Sequence, residues 1–294
     1  MPRQIFLSIL CWLLFGAALA SSVVNPLNAA EPAATRPTKL DILVVAPHSD
    51  DEAIGCTTVM MHAMQKNQKV GVVIVTAGDA HLGAAAALAK KELSQLTADD
   101  FFGLAAQRER HSLQAMSRIG IQAGDLIFLG YPDGGMDKIY STAGEMPYRQ
   151  PYTKKTETYG SSVRDYHSQV HGRPAPYSKA AVVGDLTEII QQRLPQEIYV
   201  TGEVDGHGDH RAAFWFVRDA ALAAKFQGTI WTYIVHGKPP KQPPDRRLVL
   251  SESEFKAKYS LIESYQAGVS PAHDKLAETY TKPEEKFWRF NLER

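Results

Sequence analysis

The chain has 294 residues, enough for one large hydrophobic core or two small ones. Lys+Arg and Asp+Glu balance at 32 each and no basic block occurs, so there is no electrostatic footprint for nucleic acid or anionic lipid. Of the two cysteines, Cys11 lies in an N-terminal apolar run, which leaves Cys56 without an internal disulfide partner.

Arg3 precedes the apolar run "IFLSILCWLLFGAALA" and small residues follow, with small-x-small points near Ala20 and Ala30. This pattern predicts a secretory signal over residues 1–30 and a periplasmic or extracellular protein. The alternative is an uncleaved membrane anchor, for which the run is somewhat short. Residues 31–38 read as a disordered lead-in.

"DILVVA" at 41–46 predicts a buried strand, and a helix follows from about Glu52 to Gln65, where Cys56 packs as a small hydrophobe. "VGVVIVTAG" is a second strand ending in a glycine turn. Continuous rather than alternating hydrophobicity predicts strands covered on both faces, hence a parallel sheet. A polar, Ala-rich stretch over 80–103 leads to a helix at about 104–119, and "DLIFLGY" is the third strand. Residues 136–177 lack periodicity and read as a long excursion, a candidate substrate cover. Helices near 178–193 and 209–225 then alternate with strands "EIYVTG" and "TIWTYIV". The expected fold is α/β: a Rossmann-like, doubly wound, mostly parallel sheet with helices on both faces. The expected core is 39–236, and 237–294 is expected to be a helical extension packed on it, with Ser251 as N-cap and Glu254 at N3. No G-x-G-x-x-G follows the first strand, so the dinucleotide fingerprint is absent.

Two short clusters carry chemistry. "PHSDDE" at 47–52 leaves the first strand, and "HGDH" at 207–210 leaves the fourth. Ligands in open parallel sheets gather at carboxyl strand ends where strand order reverses. If the first and fourth strands are neighbours there, the clusters share one crevice. His48, Asp51 and His210 then form a two-histidine, one-carboxylate set with a place left for water, which suits catalytic Zn2+ and also Fe2+. Asp50 is placed to take a proton from water, and His207 to stabilise an oxyanion or protonate a leaving group. Asp209 is placed to orient one histidine through its other ring nitrogen. Taken singly, each cluster has a plainer reading, a helix N-cap in one case and a polar loop in the other.

These motifs resemble those of the PIG-L/LmbE-like family of zinc-dependent N-acetylglucosamine deacetylases. "PHSDDE" is similar to its A/P-H-x-D-D-E signature and "HGDHRA" to its H-P-D-H-R/K-A element. "VIVTAGD", "RERHSLQAMSRIGI" and "LGYPDGGM" resemble further elements in family order, over about 40–235. The resemblance implies removal of an N-acetyl group from an aminosugar, with His48, Asp51 and His210 as metal ligands, Asp50 as base and His207 stabilising the oxyanion. It also implies substrate contact by Arg108 and Asp133. His111, Gly208 and Asp205 depart from the family pattern, leaving substrate identity open. Other hydrolysis on the same metal site, of a different amide or an ester, stays an alternative, as does a non-catalytic glycan-binding module. His62, His81, His167, His171, His236 and His273 are expected to be surface or packing residues. The expected partner is an aminosugar or glycan, without nucleic acid or a membrane span after signal cleavage, and oligomeric state is open.

Overall fold

The computed structural model describes residues 39–142, 146–266 and 275–292. The N-terminal signal and lead-in expectations, and His273, lie outside the described residues. No helix among the described residues is long and apolar enough to cross a membrane.

Five parallel strands make the centre of the sheet: β1 (Ile42–Ala46), β2 (Val70–Thr76), β3 (Leu126–Tyr131), β4 (Glu197–Thr201) and β5 (Thr229–Tyr233). The order β3-β2-β1-β4-β5 reverses between β1 and β4, which pair directly. The two clusters therefore emerge side by side, as the strand-end reasoning requires.

All five β1 residues are buried because each face of the sheet is covered. Leu43 and Val45 face α6 (Lys179–Arg193) and α7 (Gly208–Ala223), among Leu186 and Phe216. Val44 and Ala46 face α1 (Asp51–Gln65), α3 (Ala98–Arg118) and α8 (Glu252–Glu263), among Met60, Ala115 and Ile262. Each aliphatic side chain so buried contributes about 1.5–3 kcal/mol. Cys56 is buried on α1, as expected.

Four expectations change. The stretch after β2 folds into α2 (Leu82–Ala89), whose first turn is capped by His81 Nδ1 accepting from Ala84 N at 3.0 Å. Helix α3 begins at Ala98 rather than 104, because Thr97 and Asp100 form a reciprocal capping box. The 136–177 excursion, though without sequence periodicity, holds regular structure among its described residues. It contains α4 (Met136–Ser141) and α5 (Tyr166–His171), and Glu109 on α3 accepts from Ser161 N, Ser162 N and Val163 N. It also passes over Gly130, which has φ +74°, and a Cβ there would lie 2.3 Å from Tyr159 O. The C-terminal segment supplies strands as well as α8 and α9 (Leu276–Tyr280). β6 (Arg246–Val249) and β7 (Glu284–Phe290) add two antiparallel strands beyond β5. "EEKFWRF" is β7, and Phe287 is buried in it, so the core continues past 236.

Candidate metal centre

The β1–α1 turn is closed by its own residues. His48 N donates to Asp51 Oδ2 at 3.0 Å, and Asp51 N donates to His48 O at 3.3 Å. Asp50 holds the N-cap position yet makes no side-chain cap hydrogen bond, so its carboxylate is not used for capping. Its φ of 120° and ψ of −30° are strained for a residue with a Cβ, at a cost of roughly 1–3 kcal/mol. Glu52 holds that conformation: its Oε2 accepts from Asp50 N at 2.9 Å, and its Oε1 accepts from Tyr265 OH, beyond α8, at 2.5 Å.

From β4, Thr201 Oγ1 donates to His210 O at 2.8 Å, fixing the first turn of α7. His207 caps that helix, its Nδ1 accepting from Asp209 N at 3.2 Å. The proton of a neutral His207 ring is thereby placed on Nε2. Burial and the charge near His48 hold His207 below the ordinary imidazole value.

The two turns meet. His48 Nδ1, Asp51 Oδ2 and His210 Nε2 form a near-equilateral triangle with sides of 3.1, 3.1 and 3.2 Å. The remaining ring nitrogens point at carboxylates. His48 Nε2 is 3.2 Å from Asp209 Oδ2 and 3.3 Å from Asp133 Oδ1, and His210 Nδ1 is 3.4 Å from Asp205 Oδ1. Protons drawn to those outer nitrogens leave two bare lone pairs and a carboxylate oxygen facing one another. Such an arrangement demands positive charge at its centre. Burial by itself would lower His210, but Asp51 and Asp205 outweigh it and push the imidazole up to about 9. His48 is likewise held up, against burial, chiefly by Asp133. A divalent cation satisfies the same demand, and two ligand atoms about 2.1 Å from a tetrahedral ion lie about 3.4 Å apart. The donor set fits zinc, or ferrous iron, with His48, Asp51 and His210 as holders.

The other expected residues converge here. Arg108 reaches from α3 with Nη2 3.9 Å from Asp50 Oδ2 and Nη1 3.7 Å from Asp133 Oδ2. Gly78 makes room: it has φ +65°, and a Cβ would lie 2.7 Å from Arg108 Nη1. Burial and the adjoining Asp51 charge push Asp50 up to about 7, against the pull of Arg108. Asp209 also accepts from Gly134 N at 2.6 Å and Met136 N at 3.0 Å, which locks it against His48. His48, Asp50, Asp51, Arg108, Asp133 and His207 all line one cavity of about 580 Å³, while His210 and Asp209 lie behind its wall.

Several site residues are not in the expected set. His81 and His236, taken as surface or packing residues, line the cavity. His236 offers a donor atom within 4.8 Å of those of Asp51 and His210, and its Nδ1 is 3.1 Å from Tyr280 OH. It follows the end of β5, beside β4, so the strand-end rule applied once more would have found it. Asp205 is a buried strut, accepting from His207 N, Val235 N and His236 N at 3.0, 2.8 and 3.1 Å. Lys275, Leu276, Thr279 and Tyr280 close the cavity from the C-terminal segment. His111, by contrast, is buried beside Tyr265, and His62 pairs with Glu254 at 2.5 Å.

Fold and donor set together define an α/β protein with a candidate mononuclear metal centre at the sheet's switch point. The chain belongs to the PIG-L family: the family profile, described as GlcNAc-PI de-N-acetylase, matches residues 43–221. No curated protein sequence matches. Among solved structures the chain is similar to N,N'-diacetylchitobiose deacetylase from Pyrococcus horikoshii, with TM-score 0.56 and 15% identity over 85% of this chain and 83% of that one. It is also similar to the zinc-inhibited form of teicoplanin deacetylase Orf2, with TM-score 0.51 and 14% identity over 84% and 97%. A third is GalB, the 4-carboxy-2-hydroxymuconate hydratase from Pseudomonas putida, with TM-score 0.51 and 15% identity over 86% and 97%. At these identities the likeness is one of fold.

Proposed function

We propose that this chain is an exported, metal-dependent N-deacetylase acting on an N-acetylglucosamine-type aminosugar or glycoconjugate. The observation that carries it is the His48–Asp51–His210 triangle, with Asp50 and His207 lining the same cavity, in a chain of the PIG-L family. His48, Asp51 and His210 would hold a zinc or ferrous ion, which would supply Lewis acidity and lower the pKa of water. Asp50 accepts the proton as water oxygen bonds to the carbonyl carbon, with Arg108 Nη2 3.9 Å from its Oδ2. His207 lines the cavity, and its Nε2–H donates to the oxygen that gains charge. As the C–N bond breaks, the proton held on Asp50 passes to nitrogen, giving acetate and a free amine. Arg108 and Asp133, opposite in charge and on one wall, bind sugar hydroxyls. Export is supported by Arg3 and the apolar run that follows it, and favours envelope, extracellular or scavenged glycans.

The same fold also carries a hydratase, so fold by itself does not select amide chemistry. The test is acetate release from a panel of N-acetyl sugars and simple esters by zinc- and iron-loaded protein. Acetate from N-acetyl sugars is expected. Ester-only turnover would replace the amide reading, and tight sugar binding without acetate from any substrate would replace catalysis by glycan binding.

A further inference from the structure

A second constellation lies away from the cavity, where the excursion meets the core. Asp165 accepts from Ser168 N at 3.0 Å and so sets the register of α5. Within α5 the run His-Ser-Gln-Val-His places His167 and His171 one turn apart, the spacing at which two imidazoles on one helix face chelate an ion. Their ring centroids are 4.4 Å apart. Across from them, α6 presents Asp185 and Glu188, also one turn apart. His167 Nδ1 is 2.6 Å from Asp185 Oδ1, and His171 Nε2 is 2.9 Å from Glu188 Oε2. One donor atom from each of His167, His171 and Asp185 lies within 4.8 Å of the other two.

We infer that His167, His171 and Asp185 form a second zinc site, one that staples the 136–177 excursion to the core. Two imidazoles and one carboxylate are donors that zinc accepts, and Glu188, 2.9 Å from His171 Nε2, sits at the rim of the set. Asp185 is buried and also accepts from Tyr131 OH at 2.7 Å, so its orientation is set before an ion arrives. Tyr131 ends β3, two residues before Asp133, and the site thereby steadies the excursion and the strand end that carries a cavity residue.

The test is a zinc count on full-length protein, stripped with chelator, reloaded and desalted. Two zinc ions per chain are expected for the wild type. The His167→Ala/His171→Ala pair should lose one, and Asp51→Ala/His210→Ala should lose the other. A wild-type count in the first pair, or a single wild-type zinc that disappears only in the second, overturns the staple and leaves the deacetylase reading standing. Should the first pair fail to fold, His171→Ala, at an exposed position, is titrated with zinc in its place. At least a tenfold weaker second binding step supports the site, and an unchanged step refutes it.

Discussion

Asp50 carries two burdens in one residue, the proton-accepting role proposed for its carboxylate and a backbone conformation that suits glycine. Exchange for glycine separates them. Asp50→Gly should relieve roughly 1–3 kcal/mol of strain, less a smaller entropic loss from the unfolded chain. The variant should therefore melt no lower than wild type while turnover falls by a factor of order 10²–10⁴. Thermal melts beside acetate-release rates check both halves, and retained turnover would remove Asp50 from the chemistry. Asp205 acts through other groups, holding the turns of β4 and β5 while facing His210 Nδ1. Asp205→Asn should weaken zinc binding by about 10–100-fold in competition with a chromophoric chelator, since it loosens a ligand without removing one. His48, Asp50, Asp51, His207, Asp209 and His210 were legible because two dense clusters each follow a buried strand. Asp205 was not, because its value lies in three backbone amides, two of them about 30 residues away.

At the scale of elements, the C-terminal segment contributes more than its sequence pattern suggested. Lys258 on α8 and Glu285 on β7 form an ion pair of 2.6 Å at 1% and 2% side-chain exposure. Glu285 also accepts from Thr58 N and Val59 N of α1 at 2.9 and 3.3 Å. This one carboxylate joins α1, the helix that carries Asp51, to β7. Lys258→Met leaves Glu285 buried without its partner and should cost about 3–5 kcal/mol, read as a lower urea midpoint with little change in slope. Strand β7 escaped the sequence reading because its buried positions include a charged residue. Glu285 looks solvent-facing until Lys258 is placed against it. Tyr265, likewise, shows no chemistry in sequence but steadies Asp50 through Glu52.

At the scale of the whole molecule, the carboxyl edge of the sheet concentrates charge that the fold must bury. Asp79, at the end of β2, accepts from Asp133 N at 3.0 Å and Tyr159 OH at 2.7 Å, which joins two strand ends to the excursion. Burial and the charge of Asp133 push its carboxyl from 3.8 up to about 6. The folded state therefore holds this proton more tightly than the unfolded chain. That contribution is complete below about pH 3.8 and is lost as pH rises through about 6. Asp79→Asn should flatten the fall in stability across this window, which urea denaturation at pH 4, 5, 6 and 7 would show. An unchanged slope would place the effect on other carboxylates. The parallel sheet, both crossover faces and the two candidate metal-binding turns were legible in the sequence alone, because strand burial and strand-end chemistry are local patterns. The pairing of β1 with β4, the cavity roof of Lys275 to Tyr280 and the His236 wall were decided only by tertiary structure. Contacts of that kind join positions up to about 230 residues apart, and no periodicity along a chain encodes which distant ends will meet.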